Sequence, residues 1–295
     1  MSTADRDVLV VGDLMVDVVA AHREPLAIGS DTAAHIALLG GGSAANTACW
    51  LAQQGERPRL LAARGDDELG RLAEGQLVAA GVDLVGPILE EASTGTCVVL
   101  VDAGGERTML PDRGANDRLP VSSVVDALDP TPGWLHLSGY AMLHEGSRNA
   151  GRAALSAGVA AGAVVSVDAA STAPIRAVGA EPFLRWVEGA ALMFANDDEV
   201  EALGGVRDVL QHVGAVVVKH GAAGATWTDG REHHVAEGLP VDAIDSTGAG
   251  DAFAAGWIVS VRAGAGPADA LAAAVRAGAL AVTVAGARPP LADES

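Results

Sequence analysis

The stretch Asp245-Ser246-Thr247-Gly248-Ala249-Gly250-Asp251-Ala252-Phe253 decides how the rest of the chain is read. It is small and glycine-rich, follows a β-prone run and opens a long apolar segment over 252–261. That pattern predicts a loop feeding the N-terminus of a helix. The N–H groups of Gly248, Ala249 and Gly250 then have no partners inside the helix and, with the helix dipole, favour an anion. Asp251 stands in the same place. A carboxylate and an anion repel, so the pair suits a site where a base meets a transferred phosphoryl group. The plainer alternative makes Asp251 a capping residue, and the nonapeptide alone leaves both open.

Composition narrows the setting. At 295 residues the chain can bury a large core, as one big α/β domain or two small ones. Hydrophobic residues reach 49% but aromatics only 3%, so aliphatic packing carries the core. A formal net charge of −19 argues against nucleic acid or an anionic membrane as the main partner. It leaves a phosphate ligand open, because backbone N–H groups bind one without a basic surface. Cys49 and Cys97 have no metal-like spacing and read as buried small hydrophobes of a reducing, cytoplasmic protein. The opening MSTADRD is polar and reads as no signal peptide. No apolar run approaches ~18 residues, so no transmembrane helix is expected.

Outward from the opening stretch, the chain alternates. A buried strand is expected over 8–11, ending at Gly12, then two short strands with an exposed loop over 14–39. Gly40-Gly41-Gly42-Ser43-Ala44-Ala45-Asn46 leads into a helix that Gly55 can stop. A weak strand at 60–62 precedes an amphipathic helix over 66–80, and 96–101 with 107–110 reads as a hairpin around Asp102-Ala103-Gly104-Gly105-Glu106. Strands at 134–137, 164–167, 192–194 and 216–219 then alternate with helices near 145–161, 182–188 and 197–203. A last hairpin pairs 226–227 with 233–235. Strand-then-helix units argue for a mostly parallel sheet with helices on both faces. The pieces at 14–39 and 96–110 fall outside that rhythm and are expected to form a small β appendage.

Further site candidates each have a structural alternative. Gly41 and Gly42 before Asn46 permit close backbone approach to a ligand, or are packing chemistry. Asp17 accepts two hydroxyls of a sugar, or faces solvent on an edge strand. Asn196-Asp197-Asp198-Glu199 begins a helix, so Asn196 and Glu199 either cap it or orient water around a magnesium–phosphate group. Lys219-His220-Gly221-Ala222-Ala223-Gly224 wraps a nucleotide's phosphates or ribose, or is a tight turn. There is no G-x-x-x-x-G-K-[ST], and no G-x-G-x-x-G follows 8–11.

Taken together and in order, Gly-Gly-x-x-x-Asn, Asn-x-x-Glu and Thr-Gly-Ala-Gly-Asp, each after a strand, resemble the ribokinase-like (PfkB) family of carbohydrate and nucleoside kinases. Similar supporting text runs through 12–17, Gly95-Thr96, Gly105-Glu106-Arg107, Gly114-Ala115-Asn116, Leu137-Ser138-Gly139 and 281–289, so the resemblance spans nearly the whole chain. It implies one α/β domain over 1–295: a three-layer α/β/α fold with a mostly parallel central sheet and a discontinuous β-sheet lid from about 14–39 and 96–110.

The resemblance also implies roles. Asp251 is the general base that takes a proton from the acceptor hydroxyl, and Gly248, Ala249 and Gly250 form the anion hole. Asp17, Gly41, Gly42 and Asn46 hold the acceptor's hydroxyls, with Arg107, Arg113 and His35 as candidates for reading the rest of it. Asn196 and Glu199 govern Mg2+ indirectly. Gly221 and Gly224 hold ATP, with Lys219 and His220 beside them; Lys219 departs from the small hydroxyl residue more common in the family, and either adds charge at the phosphates or points to solvent. Asp245, Thr247, Ala281, Val284 and Gly286 match a monovalent-cation site, which makes K+ activation a hypothesis. The lid closes over the acceptor and either clasps a second subunit as a homodimer or works in a monomer. The leading expectation is a sugar kinase. A nucleoside kinase ranks lower because aromatics are sparse near the lid; a non-catalytic sugar sensor and a dehydrogenase are the other classes.

Overall fold

Every residue of the strand Val8–Val11 is buried, and its alternate side chains enter different cores. Val8 and Val10 join Phe194, Phe253 and Trp257, whereas Leu9 and Val11 join Leu135, Met142 and Phe183. A strand apolar on both faces needs cover on both, and that requirement accounts for the architecture. The computed structural model describes residues 7–290. Its main sheet has nine strands, in the order His233–Glu237, Gly224–Thr228, Val216–Lys219, Leu192–Asn196, Val164–Asp168, Trp134–Ser138, Val8–Val11, Arg59–Leu61 and Asp83–Leu84. The first two pair antiparallel as the expected hairpin; from Val216–Lys219 onward all neighbours are parallel.

Helices Ser43–Gln53, Ala249–Arg262 and Pro267–Ala281 cover one face, and Glu145–Ala160, Thr172–Val178 and Ala180–Trp186 the other. This is the expected three-layer arrangement. Val8–Val11 lies between Arg59–Leu61, which continues the chain to one side, and Trp134–Ser138, which continues it to the other. The strand order therefore reverses at this point, and open α/β sheets take their ligands at the carboxyl ends of the strands beside such a reversal.

The appendage is a four-stranded sheet in the order Ala34–Gly41, Met15–His22, Gly95–Val101 and Arg107–Asp112. Met15–His22 runs antiparallel to Ala34–Gly41 but parallel to Gly95–Val101, so the two sequence-distant pieces form one sheet. A buried amide joins it to the main body. Asn116 Oδ1 accepts from Leu14 N at 3.0 Å, and Asn116 Nδ2 donates to Leu14 O at 2.9 Å. Beside it, Arg113 pairs with the buried Asp13.

Some local expectations are corrected. The helix expected near 182–188 is two helices, Thr172–Val178 and Ala180–Trp186, broken at Gly179 with φ 87°. Pro182 marks a first turn that starts two residues before it, since proline is tolerated there. Arg64–Gly65 and Ile88–Leu89 form a separate two-stranded sheet, too short for periodicity to announce. Pro267–Ala281 is alanine-rich on all sides, so no apolar stripe singles it out. Among the described residues no helix is long and apolar enough to cross a membrane.

Replacing Asn116 with Ala strands the N–H and C=O of the fully buried Leu14. We expect a loss of about 2–3 kcal/mol, read from urea unfolding.

Candidate active site

The helix Ala249–Arg262 is docked by aromatic contacts: Phe253 and Trp257 meet Phe194 edge-on at centroid distances of 6.3 and 6.2 Å. Its N-cap is Gly248 in the left-handed conformation, φ 75°, and no side chain caps it. A Cβ at Gly248 would lie 2.2 Å from Ala287 O, so this turn requires glycine. Asp251, in the first turn, is thus not the cap. Its carboxylate is bonded to another helix, accepting from Ser43 Oγ at 2.8 Å and from Asn46 Nδ2 at 3.0 Å. Burial pushes its pKa up to about 7; the bonds from Asn46 and Ser43 pull the other way, Asp168 adds to the rise and Lys219 opposes it.

The glycine run seats its neighbours. A Cβ on Gly41 would stand 2.3 Å from Asp17 Oδ1, and Gly42 holds φ 89° with Asp13 O 2.4 Å from its ideal Cβ. A Cβ on Gly40 would stand 2.2 Å from Arg288 Nη1. Asp17 is pushed up to about 6 by burial, with the charge of Arg288 pulling it back. Asp17, Gly41, Gly42, Asn46 and Asp251 are therefore brought together.

The strand ends opposite hold a second group. Asn196 and Glu199 form a reciprocal capping box: Asn196 Oδ1 accepts from Glu199 N at 2.9 Å, and Glu199 Oε2 accepts from Asn196 N at 2.8 Å. Glu199 is buried, and burial and Asp168 raise its pKa. Lys219 does not point to solvent. Its Nζ donates to Asp168 Oδ2 at 2.8 Å and lies 3.2 Å from where a Cβ on Gly250 would be. The ammonium thus reaches the anion-attracting helix end. His220 bridges Asp197 and Thr226, Gly221 has φ 56° over open space, and Gly224 has φ 104° against Ala236 O.

Two arginines stand differently from the sequence expectation. Arg113 is committed to Asp13 and Asp117, which leaves it poorly placed to read an acidic ligand. Arg107, from the second sheet, donates to Asp245 and to Thr247 Oγ1. Asp245 also accepts from Thr247 N at 2.7 Å and Gly286 N at 2.9 Å, tying the loop before the helix to the turn that follows Ala281 and Val284. His35 is exposed on an edge strand. Among the described residues no three His, Cys, Asp or Glu cluster as a metal site.

Sequence reasoning missed Ser43, Asp168 and Arg288. Asp168 is the last residue of its strand, as Asn196 and Lys219 are of theirs, a position that could have been marked. Arg288 lies past the last helix, where no local pattern points at Asn46.

The cluster combines a carboxylate that changes charge near neutrality, a helix end that attracts an anion, a lysine beside it and a second carboxylate in a glycine seat. Because Lys219 favours the charged form of Asp251, Lys219→Met is expected to raise the Asp251 midpoint above about 7. A 13C titration of the side-chain carboxyl measures it.

A family model described as pfkB family carbohydrate kinase matches residues 5–294. An ATP-dependent ribose-1-phosphate kinase from Halopiger xanaduensis is 36% identical over 230 residues, covering 75% of this chain and 73% of that protein. Among solved structures, adenosine kinase from Sinorhizobium meliloti superposes with a TM-score of 0.87 at 22% identity, over 96% of both chains. An E. coli protein solved with ATP and Mg2+ superposes with a TM-score of 0.86 at 23% identity, over 96% of this chain and 94% of that one.

Proposed function

The chain belongs to the pfkB family of carbohydrate kinases, and on that premise we propose that it transfers the γ-phosphoryl group of ATP to a hydroxyl of a small sugar with Asp251 as base. That it is a sugar or nucleoside kinase, a phosphotransferase with a hydroxyl acceptor, follows from the family and the relatives. One observation carries the finer reading: a carboxylate with its pKa near about 7 in the first turn of the helix whose N-terminus attracts an anion. There Asp251 can take the acceptor's proton as its oxygen attacks phosphorus in line. The N–H groups of Gly248, Ala249 and Gly250, with Lys219, meet the charge on the transferred group. Positioning and charge stabilisation supply most of the rate in such a step.

Asp17 and Asn46 hold acceptor hydroxyls, and Gly221 and Gly224 flank the nucleotide. With no ready-made metal cluster among the described residues, the donor set fits Mg2+ held mainly by ATP and water, with Glu199 and Asn196 acting through water. When bound, the ion neutralises charge on the β- and γ-phosphates. The monovalent-cation site that the family resemblance implies is mostly one of backbone carbonyls, so the bonds that engage the Asp245 carboxylate leave it a hypothesis. Equal rates in K+ and in tetramethylammonium would remove it.

A sugar is favoured over a nucleoside because neither 14–41 nor 95–112 contains Phe, Trp or Tyr to stack on a base. We further propose that the second sheet is the lid of the kinase, shutting water out of the site. One row across it, Leu38, Val18, Val98 and Leu110, is apolar, with Leu38 48% and Leu110 56% exposed. This face suits a homodimer, and Leu38→Glu with Leu110→Glu is expected to give monomers by light scattering. ATP as donor suits a cytoplasmic enzyme.

A coupled ATP-consumption screen over pentoses, hexoses, sugar phosphates, sugar acids and nucleosides tests the reading. Asp251→Asn is expected to lose about 10²–10⁴-fold in kcat; full turnover with nucleosides alone would reverse the substrate order. Since the base must be ionised, kcat/KM should fall as pH drops below about 7.

A further inference from the structure

We infer that Arg288 is a positioning residue, holding the Asn46 side-chain amide in the one orientation that turns its NH2 group toward Asp251. The inference rests on the reading of Asp251 as base. A guanidinium has donors only, whereas the two ends of an asparagine amide are nearly equal in size and opposite in character. Arg288 Nε lies 3.1 Å from Asn46 Oδ1, and Asn46 Nδ2 lies 3.0 Å from Asp251 Oδ2. Reversing the amide would set NH2 against a donor and a carbonyl against a carboxylate. Arg288 therefore excludes the wrong orientation from behind, without touching Asp251.

The guanidinium is itself anchored. Its Nη2 donates to Gly41 O at 2.7 Å, and Trp50 Nε1 donates to Ala287 O at 3.0 Å, pinning the backbone just before it. Gly40 leaves room for Nη1, which has no hydrogen-bond partner among the described residues. No carboxylate forms an ion pair with Arg288 among the described residues, and burial pushes its own pKa down. The charges of Asp17 and Asp251 act on it only from beyond contact distance, and a buried guanidinium with no contacting carboxylate is costly, so a role in packing alone accounts poorly for it. The other charged and titratable groups that act on Asp251 are Asp168 and Lys219, from strand ends, and Tyr140, from the helix Tyr140–Leu143. Ser43 supplies its second hydrogen bond.

The test follows the Asp251 carboxyl by 13C titration in ligand-free protein, alongside the pH profile of turnover. In Arg288→Met the amide is free to present its carbonyl, which favours the protonated acid; the midpoint should rise by about one unit. Turnover near neutral pH should fall several-fold and recover in alkali, with KM for ATP unchanged. Arg288→Lys keeps a donor and a charge and should hold the midpoint near that of the wild type. In an Asn46→Ala background, Arg288→Met should add only the smaller shift that its direct charge on Asp251 accounts for. An unchanged midpoint in Arg288→Met, or the same shift without Asn46, overturns the inference. Should Arg288→Met fail to fold, Asn46→Ala must raise the midpoint and Arg288→Lys must not. The titration needs no turnover. An active Asp251→Asn would therefore defeat the base reading separately from this one.

Discussion

An uncapped helix end attracts anions, and this chain places a carboxylate on it. The remaining geometry of the site is arranged around that conflict. Asp251 is held by Ser43 and Asn46 from a helix that begins at the glycine run, so the two halves of the cleft are joined at one side chain. Burial drives the carboxylate toward its neutral form, and two hydrogen bonds and one ammonium draw it back. The outcome is a group near the middle of its titration, where small changes in surroundings have large effects on charge. Phe194 is the mechanical counterpart: it seats both Phe253 and Trp257 and so fixes the height of that helix over the sheet.

Much of the fold is legible because its elements bury residues on simple periods. Val8–Val11 is apolar on both faces and must be central, and the hairpin of the second sheet is announced by Asp102-Ala103-Gly104-Gly105. What periodicity does not carry is association at a distance. Nothing in residues 14–22 says that they pair in parallel with 95–101. The alanine-rich Pro267–Ala281 hides its buried face because its exposed face is composed alike.

The site divides along the same line. Asp17 is marked as a carboxylate within an apolar strand, whereas Asn46 and Asp251 follow glycines in the sequence, and the glycines are their local signal. Each has a different neighbour: Gly40 the Arg288 guanidinium, Gly41 the Asp17 carboxylate, Gly42 the Asp13 carbonyl. Asp168 and Arg288 carry no such mark, since their contacts are long-range side-chain bonds; Ser43 follows the glycine run, but nothing local points it at Asp251. Asn196 and Glu199 are fixed by the helix start itself. The capping box uses one oxygen of each, and burial beside Asp168 leaves Glu199 a perturbed acid as well.

The parallel pairing of Met15–His22 with Gly95–Val101 bears on how the chain is made. During synthesis the hairpin of Met15–His22 and Ala34–Gly41 emerges early and alone, with the inner edge of Met15–His22 unpaired. Its partner follows only after the strand Arg59–Leu61 and the helix Glu68–Ala79 have left the ribosome. Until then an apolar edge is open to wrong partners, including the same segment of a neighbouring nascent chain. The second sheet is thus completed by a non-local pairing, which forms slowly. Its assembly, more than that of the central sheet, should set the demand of this chain for chaperones.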